Sequence, residues 1–238
     1  MLSPKIPIKH VNHALQHGEL ELKGQFMFGS NYTFLVTVRH DGQEVPAVYK
    51  PSRGEQPLWD FPTSTLARRE VAAYVVSEAL GFHFVPYTTL RADGPHGPGS
   101  LQQYIEYDPE YHYFTFSDED KQRLRPVVLF DLLVNNADRK GSHVLIEKGT
   151  NKLWAIDHGV CFHEQAKLRT VLWDFAGARI SDDLLGLLSG AHELREQLMP
   201  YLSAAEISAV EARAGRLLKG RHFPNPPRDR RARPWPPI

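Results

Sequence analysis

The chain has 238 residues, with 28 Lys and Arg set against 28 Asp and Glu, and with hydrophobic residues at 42% and charged ones at 24%. Such a balance fits an ordinary globular protein and argues against a dedicated nucleic-acid binder, whose basic excess gathers on one face. Cys161 stands alone, which excludes an intrachain disulfide. No stretch approaches the roughly 20 apolar residues of a membrane span, so a reducing, cytoplasmic setting is expected.

Taken in chain order, residues 1–17 are polar and lack the apolar run of a signal peptide. Residues 19–22 alternate polar and apolar, and residues 33–38 are rich in β-formers. Asp41-Gly42 signals a hairpin turn, with residues 45–49 as the return strand, so the first region reads as an antiparallel sheet. After a proline-containing loop, Ser64 or Thr65 can cap a helix whose apolar face carries Ala67, Val71, Tyr74, Val75 and Ala79, with Gly81 as its stop. Residues 85–91 suggest another strand, and residues 101–105 a short apolar segment.

Ser117 with Asp120 resembles a capping box, opening helical structure to about Asn135 that Pro126 interrupts or kinks. A hairpin follows, with strands near 144–147 and 153–156 around Gly149-Thr150-Asn151. One further helix starts near Ser181, and another runs from the capping box Ser203-Ala204-Ala205-Glu206 to Gly220. The expected fold is α+β with two segregated, kinase-like lobes. Residues 1–103 form a sheet-and-helix lobe, 104–220 a mainly helical lobe, and 221–238 an Arg/Pro-rich tail, disordered or only loosely docked.

Two acidic sites flank the hairpin at residues 144–156. Asn136-Ala137-Asp138-Arg139 precedes its first strand, and Ile156-Asp157-His158-Gly159 closes its second. Antiparallel pairing brings those two positions to one edge, so Asp138 and Asp157 are expected to be neighbours although nineteen positions apart. Two converging carboxylates suit metal binding and proton acceptance in phosphoryl transfer. Taken singly, each is also a common turn residue. Lys50 ends an apolar strand, where it can hold phosphate oxygens as a point charge, and Glu70 lies on the next helix, where it can orient that lysine. Alone, either could be a solvated surface charge.

Val48-Tyr49-Lys50-Pro51, Arg69-Glu70, the Asn136–Arg139 motif and Ala155-Ile156-Asp157-His158-Gly159 resemble the phosphatidylinositol 3-kinase/4-kinase superfamily, especially its uncharacterised bacterial branch. The resemblance covers residues 14–220. It implies ATP bound between the lobes with Mg²⁺ or Mn²⁺. Asp138 would act as catalytic aspartate, with Asn136 and Arg139 in the same catalytic loop, and Asp157 as metal ligand. Lys50 and Glu70 would serve the phosphates, and the turn Gly29-Ser30-Asn31-Tyr32-Thr33 would cover them, through Ser30 and Asn31. Gln103 and Tyr104 would form the adenine hinge. Where the superfamily usually has an asparagine for a second metal, this chain has His143. A neutral imidazole could ligate there, favouring Mn²⁺ or a softer ion, or His143 could simply pack at the strand start.

These observations lead to an ATP- and metal-dependent phosphotransferase acting on a hydroxyl of unknown identity. Nucleotidyl transfer on the same fold and a catalytically inactive nucleotide-binding scaffold are the alternatives. His158 and His163 flank the second acidic site and are expected near it, and Cys161 is expected to be a buried small residue. Trp59-Asp60-Phe61 and Trp173-Asp174-Phe175 are read as aromatic anchors, and the arginines between 228 and 233 as a solvated tail with an acidic partner as the alternative.

Overall fold

A computed structural model of the protein describes residues 8–26 and 32–238. The chain divides into two compact units, the first from residues 1–71 and 86–105, the second from residues 72–85 and 106–238.

The first unit is built on a five-stranded antiparallel sheet of order β1-β2-β3-β5-β4. The strands are β1 Glu19–Gln25, β2 Phe34–His40, β3 Gln43–Pro51, β4 Thr88–Arg91 and β5 Gly99–Gln103. The Asp41-Gly42 turn joins β2 and β3, both its residues holding positive φ (48° and 73°). That geometry suits the right-handed twist of the strands it connects. Val36, Val38, Val45, Ala47 and Tyr49 alternate along β2 and β3 and are fully or almost fully buried, the period-2 pattern of a sheet with one covered face.

The helix α1, Ile8–His17, was not legible in the polar, histidine-containing sequence. Among its residues whose burial is described, Val11, Ala14 and Leu15 are buried, and the helix packs on the sheet. Arg91 of β4 fixes its end by donating from Nη1 to the Leu15 carbonyl (2.9 Å) and from Nη2 to the Gly18 carbonyl (2.8 Å), two orphan acceptors of the helix terminus. A side chain at Gly18 would strike Val38 and the backbone of Arg39 and Ala14 within 2.8 Å, so the exit from α1 needs glycine.

Helix α2, Leu66–Ala79, starts one residue after the expected cap, and the cap is supplied from elsewhere. Glu55 accepts the Ala67 N–H at 3.1 Å, while the Thr65 hydroxyl instead donates to the Pro62 carbonyl at 2.7 Å. A carboxylate at a helix N-terminus is favoured by both the free N–H groups and the dipole.

The second unit holds the larger core. Phe82, Phe84 and Phe130 meet edge-to-face at 5.2–5.5 Å, surrounded by Val76, Leu129 and Leu133. The helical stretch expected from Ser117 is two helices, α3 Asp118–Gln122 and α4 Arg125–Val134. Ser117 caps the first by accepting the Asp120 N–H, and Pro126 sits in the opening turn of the second, where a missing N–H costs nothing. The break therefore falls before the proline. Strands β6 Val144–Ile146 and β7 Leu153–Ala155 pair antiparallel, Val144 opposite Ala155. Short helices α5 Asp182–Gly186 and α6 Arg195–Leu198 lead to α7 Ala204–Gly220, whose Ser203/Glu206 capping box is complete. Arg213 of α7 is buried and donates to the Leu133 carbonyl at 2.7 Å, tying α7 to the end of α4.

Residues 221–238 are docked, which corrects the expectation of a disordered or loosely docked tail. Phe223 is buried and exchanges backbone hydrogen bonds with Gly177 and Ala178. Farther along, the Ala232 carbonyl accepts from the Thr170 N–H (3.0 Å) and from Trp173 Nε1 (3.2 Å), and the Pro237 carbonyl accepts from the Gly141 N–H (2.8 Å). Trp173 is thus an anchor as expected. Trp59 is not: it is 91% exposed, while its neighbour Phe61 is buried beneath the Arg69 guanidinium. Cys161 is fully buried.

Candidate functional site

In the first unit, Lys50 lies near the end of β3, opposite Ser100 of β5. Its ammonium meets the Glu70 carboxylate of α2 at 2.5 Å, with the glutamate side chain only 4% exposed and the lysine 22%. A strand holds the cation and a helix holds the anion, so both are fixed by rigid elements. The pair is thus held in place by its own elements, and a preorganised pair has less ordering to lose on making a further contact.

Two other expectations in this unit fare differently. Ser30 and Asn31, with Gly29, lie outside the described residues. Gln103 and Tyr104 occupy the end of β5 and the residue beyond it, but their N–H groups are already committed, Gln103 to the Tyr87 carbonyl (2.9 Å) and Tyr104 to the Pro46 carbonyl (3.1 Å). These two donors complete the sheet.

The second unit organises its acidic site around a residue the sequence reading overlooked. Asp131 is buried on α4. Its Oδ1 accepts from Asn136 Nδ2 (3.1 Å) and Arg139 Nη2 (2.9 Å), and its Oδ2 from Arg139 Nε (2.8 Å). Arg139 is itself fully buried. Burial opposes its charge, but the Asp131 carboxylate outweighs that and holds the guanidinium protonated. Its remaining donors reach the carbonyls of His143 (3.0 Å) and Ile156 (2.6 Å) and the His158 Nε2 (2.7 Å).

One cation therefore ties helix α4, the loop, the start of β6 and the end of β7 together. Arg139 was grouped with the catalytic residues; its geometry makes it a positioning residue. His158, expected near the acidic site, is buried and serves as acceptor for Arg139.

Asn136 completes the loop by accepting the Asp138 N–H on its Oδ1 at 2.9 Å. Asn135, in left-handed backbone at the end of α4, donates to the His163 and Gln165 carbonyls and accepts the Lys167 N–H. Its neighbour segment pairs with the loop: Arg139 N–H donates to the Arg169 carbonyl, and Val171 N–H to the Arg139 carbonyl.

Asp138 emerges from this frame with its side chain part-exposed, Lys140 Nζ lying 3.8 Å from its Oδ2. Burial pushes its pKa up to about 6, Lys140 pulls it down, and the negative charge of Asp157 pushes it up again. That coupling means the two carboxylates feel one another. A carboxylate titrating near 6 is suited to taking a proton at neutral pH. Asp157 holds a left-handed backbone (φ 62°), a conformation that non-glycine residues seldom adopt and that is concentrated at functional sites.

His143 Nε2 sits 3.1 Å from Asp157 Oδ2, and its Nδ1 accepts the Lys140 N–H at 3.4 Å. With Nδ1 taking the Lys140 N–H, Nε2 is the ring nitrogen turned to Asp157. Two donor atoms about 3 Å apart also match one edge of an octahedron with bonds of about 2.1 Å. The described residues contain no group of three or more His, Cys, Asp or Glu able to hold a metal. A divalent ion held by Asp157 and His143 would fill the rest of its shell with other oxygen donors and water, as is usual for Mg²⁺.

No protein-family model matches the chain. The chain is similar in fold to a Helicobacter pylori proinflammatory kinase, CtkA (TM-score 0.55, 12% identity, covering 87% of this chain and 94% of that one). It is similar likewise to the Golgi casein kinase (TM-score 0.54, 15% identity, 92% and 79%), which has also been solved with Mn/ADP bound (TM-score 0.53, 15% identity, 89% and 74%). At such identities the likeness is one of fold: this chain has the α+β fold of atypical kinases. In sequence it is 37% identical over 262 aligned residues to Protein Rv2133c of Mycobacterium tuberculosis, 93% of each chain being covered. The chain therefore belongs to the family of Rv2133c.

Proposed function

We propose that this chain is an ATP- and divalent-metal-dependent phosphotransferase of the atypical-kinase type, moving the γ-phosphoryl group to a hydroxyl. The observation that carries the reading is the frame around Asp138. A buried Asp131–Arg139 pair fixes a loop whose outward carboxylate is pushed up to about 6 and senses a second carboxylate, Asp157. The kinase-like fold and the resemblance of the motifs to phosphatidylinositol kinases both support it. Mn/ADP bound to the Golgi casein kinase is a precedent for nucleotide and metal in this fold.

In this reading Asp138 accepts the proton of the attacking hydroxyl, and Asn136 and Arg139 hold its loop. Asp157, with His143, takes the cation, which when bound neutralises phosphate charge. Lys50, oriented by Glu70, takes phosphate oxygens. Catalysis then rests on positioning and charge compensation, since phosphoryl transfer needs little covalent help from the protein.

The test is parallel incubation with ATP labelled at the γ- or the α-phosphate. We expect γ-label to reach an acceptor in cell extract or the protein itself. Transfer of α-label would replace the reading with nucleotidyl transfer, and binding of ATP without any transfer would replace it with an inactive nucleotide-binding scaffold.

A ligand role for His143 carries its own expectation. Mn²⁺ should support turnover better than Mg²⁺, because an imidazole nitrogen suits the softer ion, and His143→Asn should reverse that order. A metal preference left unchanged by the substitution would reduce His143 to a hydrogen-bond donor that orients Asp157.

A further inference from the structure

The arginines between 228 and 233 remain unexplained by the proposed reaction, and their surroundings suggest a use. Residues 228–238 run back along the second unit and are fastened at two places, both belonging to the frame of Asp138. The Pro237 carbonyl accepts the N–H of Gly141, three residues after Asp138, and the Ala232 carbonyl accepts the N–H of Thr170. Thr170 in turn forms a parallel bridge with Arg139, inside the catalytic loop. Gly141 is also closely packed: a Cβ there would lie 2.7 Å from the Phe114 ring. The strap and the loop are thus laid side by side by main-chain bonds, which hold whatever the side chains do.

The chain as a whole is electrically balanced, with 28 charges of each sign. This neighbourhood is not. The strap carries Arg228, Arg230, Arg231 and Arg233, all exposed, and the two segments it fastens carry the part-exposed Lys140 and Arg169. Against these six cations stand Asp138 with its neighbour Asp157, Asp174 beside the bonded Trp173, and, on the strap, Asp229, so positive charge is in excess. Arg231 and Arg233 flank Ala232, the residue bonded to Thr170, so their backbone position is fixed beside the loop. Like charges gathered on one surface repel one another and are held there at a cost, which an oppositely charged partner removes.

We propose that residues 228–238 form part of the acceptor site and that the acceptor is a hydroxyl-bearing polypeptide segment flanked by carboxylates. A polypeptide is favoured over one phosphorylated small molecule because the cations are spread over three chain segments, more than a single phosphate with three free oxygens can engage. The inference rests on the phosphotransferase reading, and it adds the class of acceptor.

The experiment uses the full chain and a fluorescein-labelled decapeptide with one serine among glutamates, beside the same peptide with glutamines. Anisotropy reads binding without turnover. At about 50 mM salt the acidic peptide should bind about tenfold tighter than its glutamine counterpart, and the advantage should shrink several-fold at about 300 mM as the charges are screened. Arg231→Glu with Arg233→Glu should erase the difference while leaving the unfolding midpoint unmoved, because both side chains are exposed. Equal affinity for the two peptides, or a preference that survives the double substitution, would overturn the inference. So would full displacement of the acidic peptide by millimolar glycerol 3-phosphate, which would point to a small phosphorylated acceptor. Labelled-ATP transfer is scored separately. A chain that transfers γ-label yet ignores peptide charge sinks this inference alone. One that holds the acidic peptide and transfers nothing sinks the phosphotransferase reading.

Discussion

Asp131→Ala should destabilise the protein by about 3–5 kcal/mol, the usual cost of leaving one partner of a buried ion pair uncompensated. For a chain of this size that corresponds to a fall of roughly 10 °C in the unfolding midpoint. The reason lies in how completely Arg139 is enclosed. Its guanidinium is fully buried and makes two of its bonds, at 2.8 and 2.9 Å, to Asp131, the only charge compensating it at hydrogen-bond distance among the described contacts. The other donors go to neutral groups, the carbonyls of His143 and Ile156 and the ring of His158, which satisfy hydrogen bonds but not charge. Removing both charges tests the explanation. Asp131→Leu combined with Arg139→Met should recover much of the loss in calorimetry, because well-packed apolar groups replace a buried pair at little cost. The rescued protein should still turn over poorly, since the ties from Arg139 to β6 and β7 would be gone. A single variant within about 1 kcal/mol of the parent would show that the frame of the loop is not electrostatic.

Asp138→Asn should lower γ-phosphoryl transfer by about 10²–10⁴-fold, the span usually attributed to a positioned general base. Nucleotide binding should persist, because Asp138 meets the acceptor and not the nucleotide in the proposed reaction. In the parent, kcat/KM should rise with pH and level off above about 6, the value to which burial lifts the Asp138 carboxyl. The sign follows from the base role. Below that pH the carboxyl is protonated and cannot take the hydroxyl proton, so the rate falls about tenfold per pH unit. Reversing the nearby cation with Lys140→Glu should move the acid limb to higher pH, since Lys140 lowers the Asp138 pKa. A flat profile from pH 5 to 8, or a full rate in Asp138→Asn, would remove Asp138 from the reaction.

Much of the fold was written locally. The β-hairpin of β2 and β3 follows from Asp41-Gly42 and the alternation around it, and the cap of α7 from Ser203 with Glu206. The β6–β7 hairpin, too, follows from its turn residues. These signals act over a few residues, so a linear reading reaches them. Helix α1 escaped because its few apolar residues are scattered among polar ones and its end is fixed by Arg91, more than seventy positions away. The capping group of α2 escaped, though its start did not, because the Ala67 N–H goes to Glu55, twelve residues upstream. Asp131 could have been noticed as a lone charge inside the apolar run of α4, Val127 to Val134, a position that a carboxylate occupies only when paired.

What the sequence determined by itself is the set of candidate groups and the hairpin that relates two of them: Lys50, Glu70, Asp138 and Asp157, with a strand, a helix and a turn around them. Short-range spacing suffices for that, because an antiparallel pair brings its own ends together. What only the tertiary structure decided is which charges face inward and which outward. Arg139 and His158 each adjoin a candidate aspartate in sequence, yet both are buried, Arg139 on Asp131 and His158 on Arg139, and hold the frame. The arginine-rich tail, by contrast, which reads as disordered or only loosely docked, is bonded to Gly141 and Thr170. The physical reason is the same in each case. A buried charge or an unpaired backbone group takes its partner from wherever in the chain one is brought close, and no local pattern records that distance.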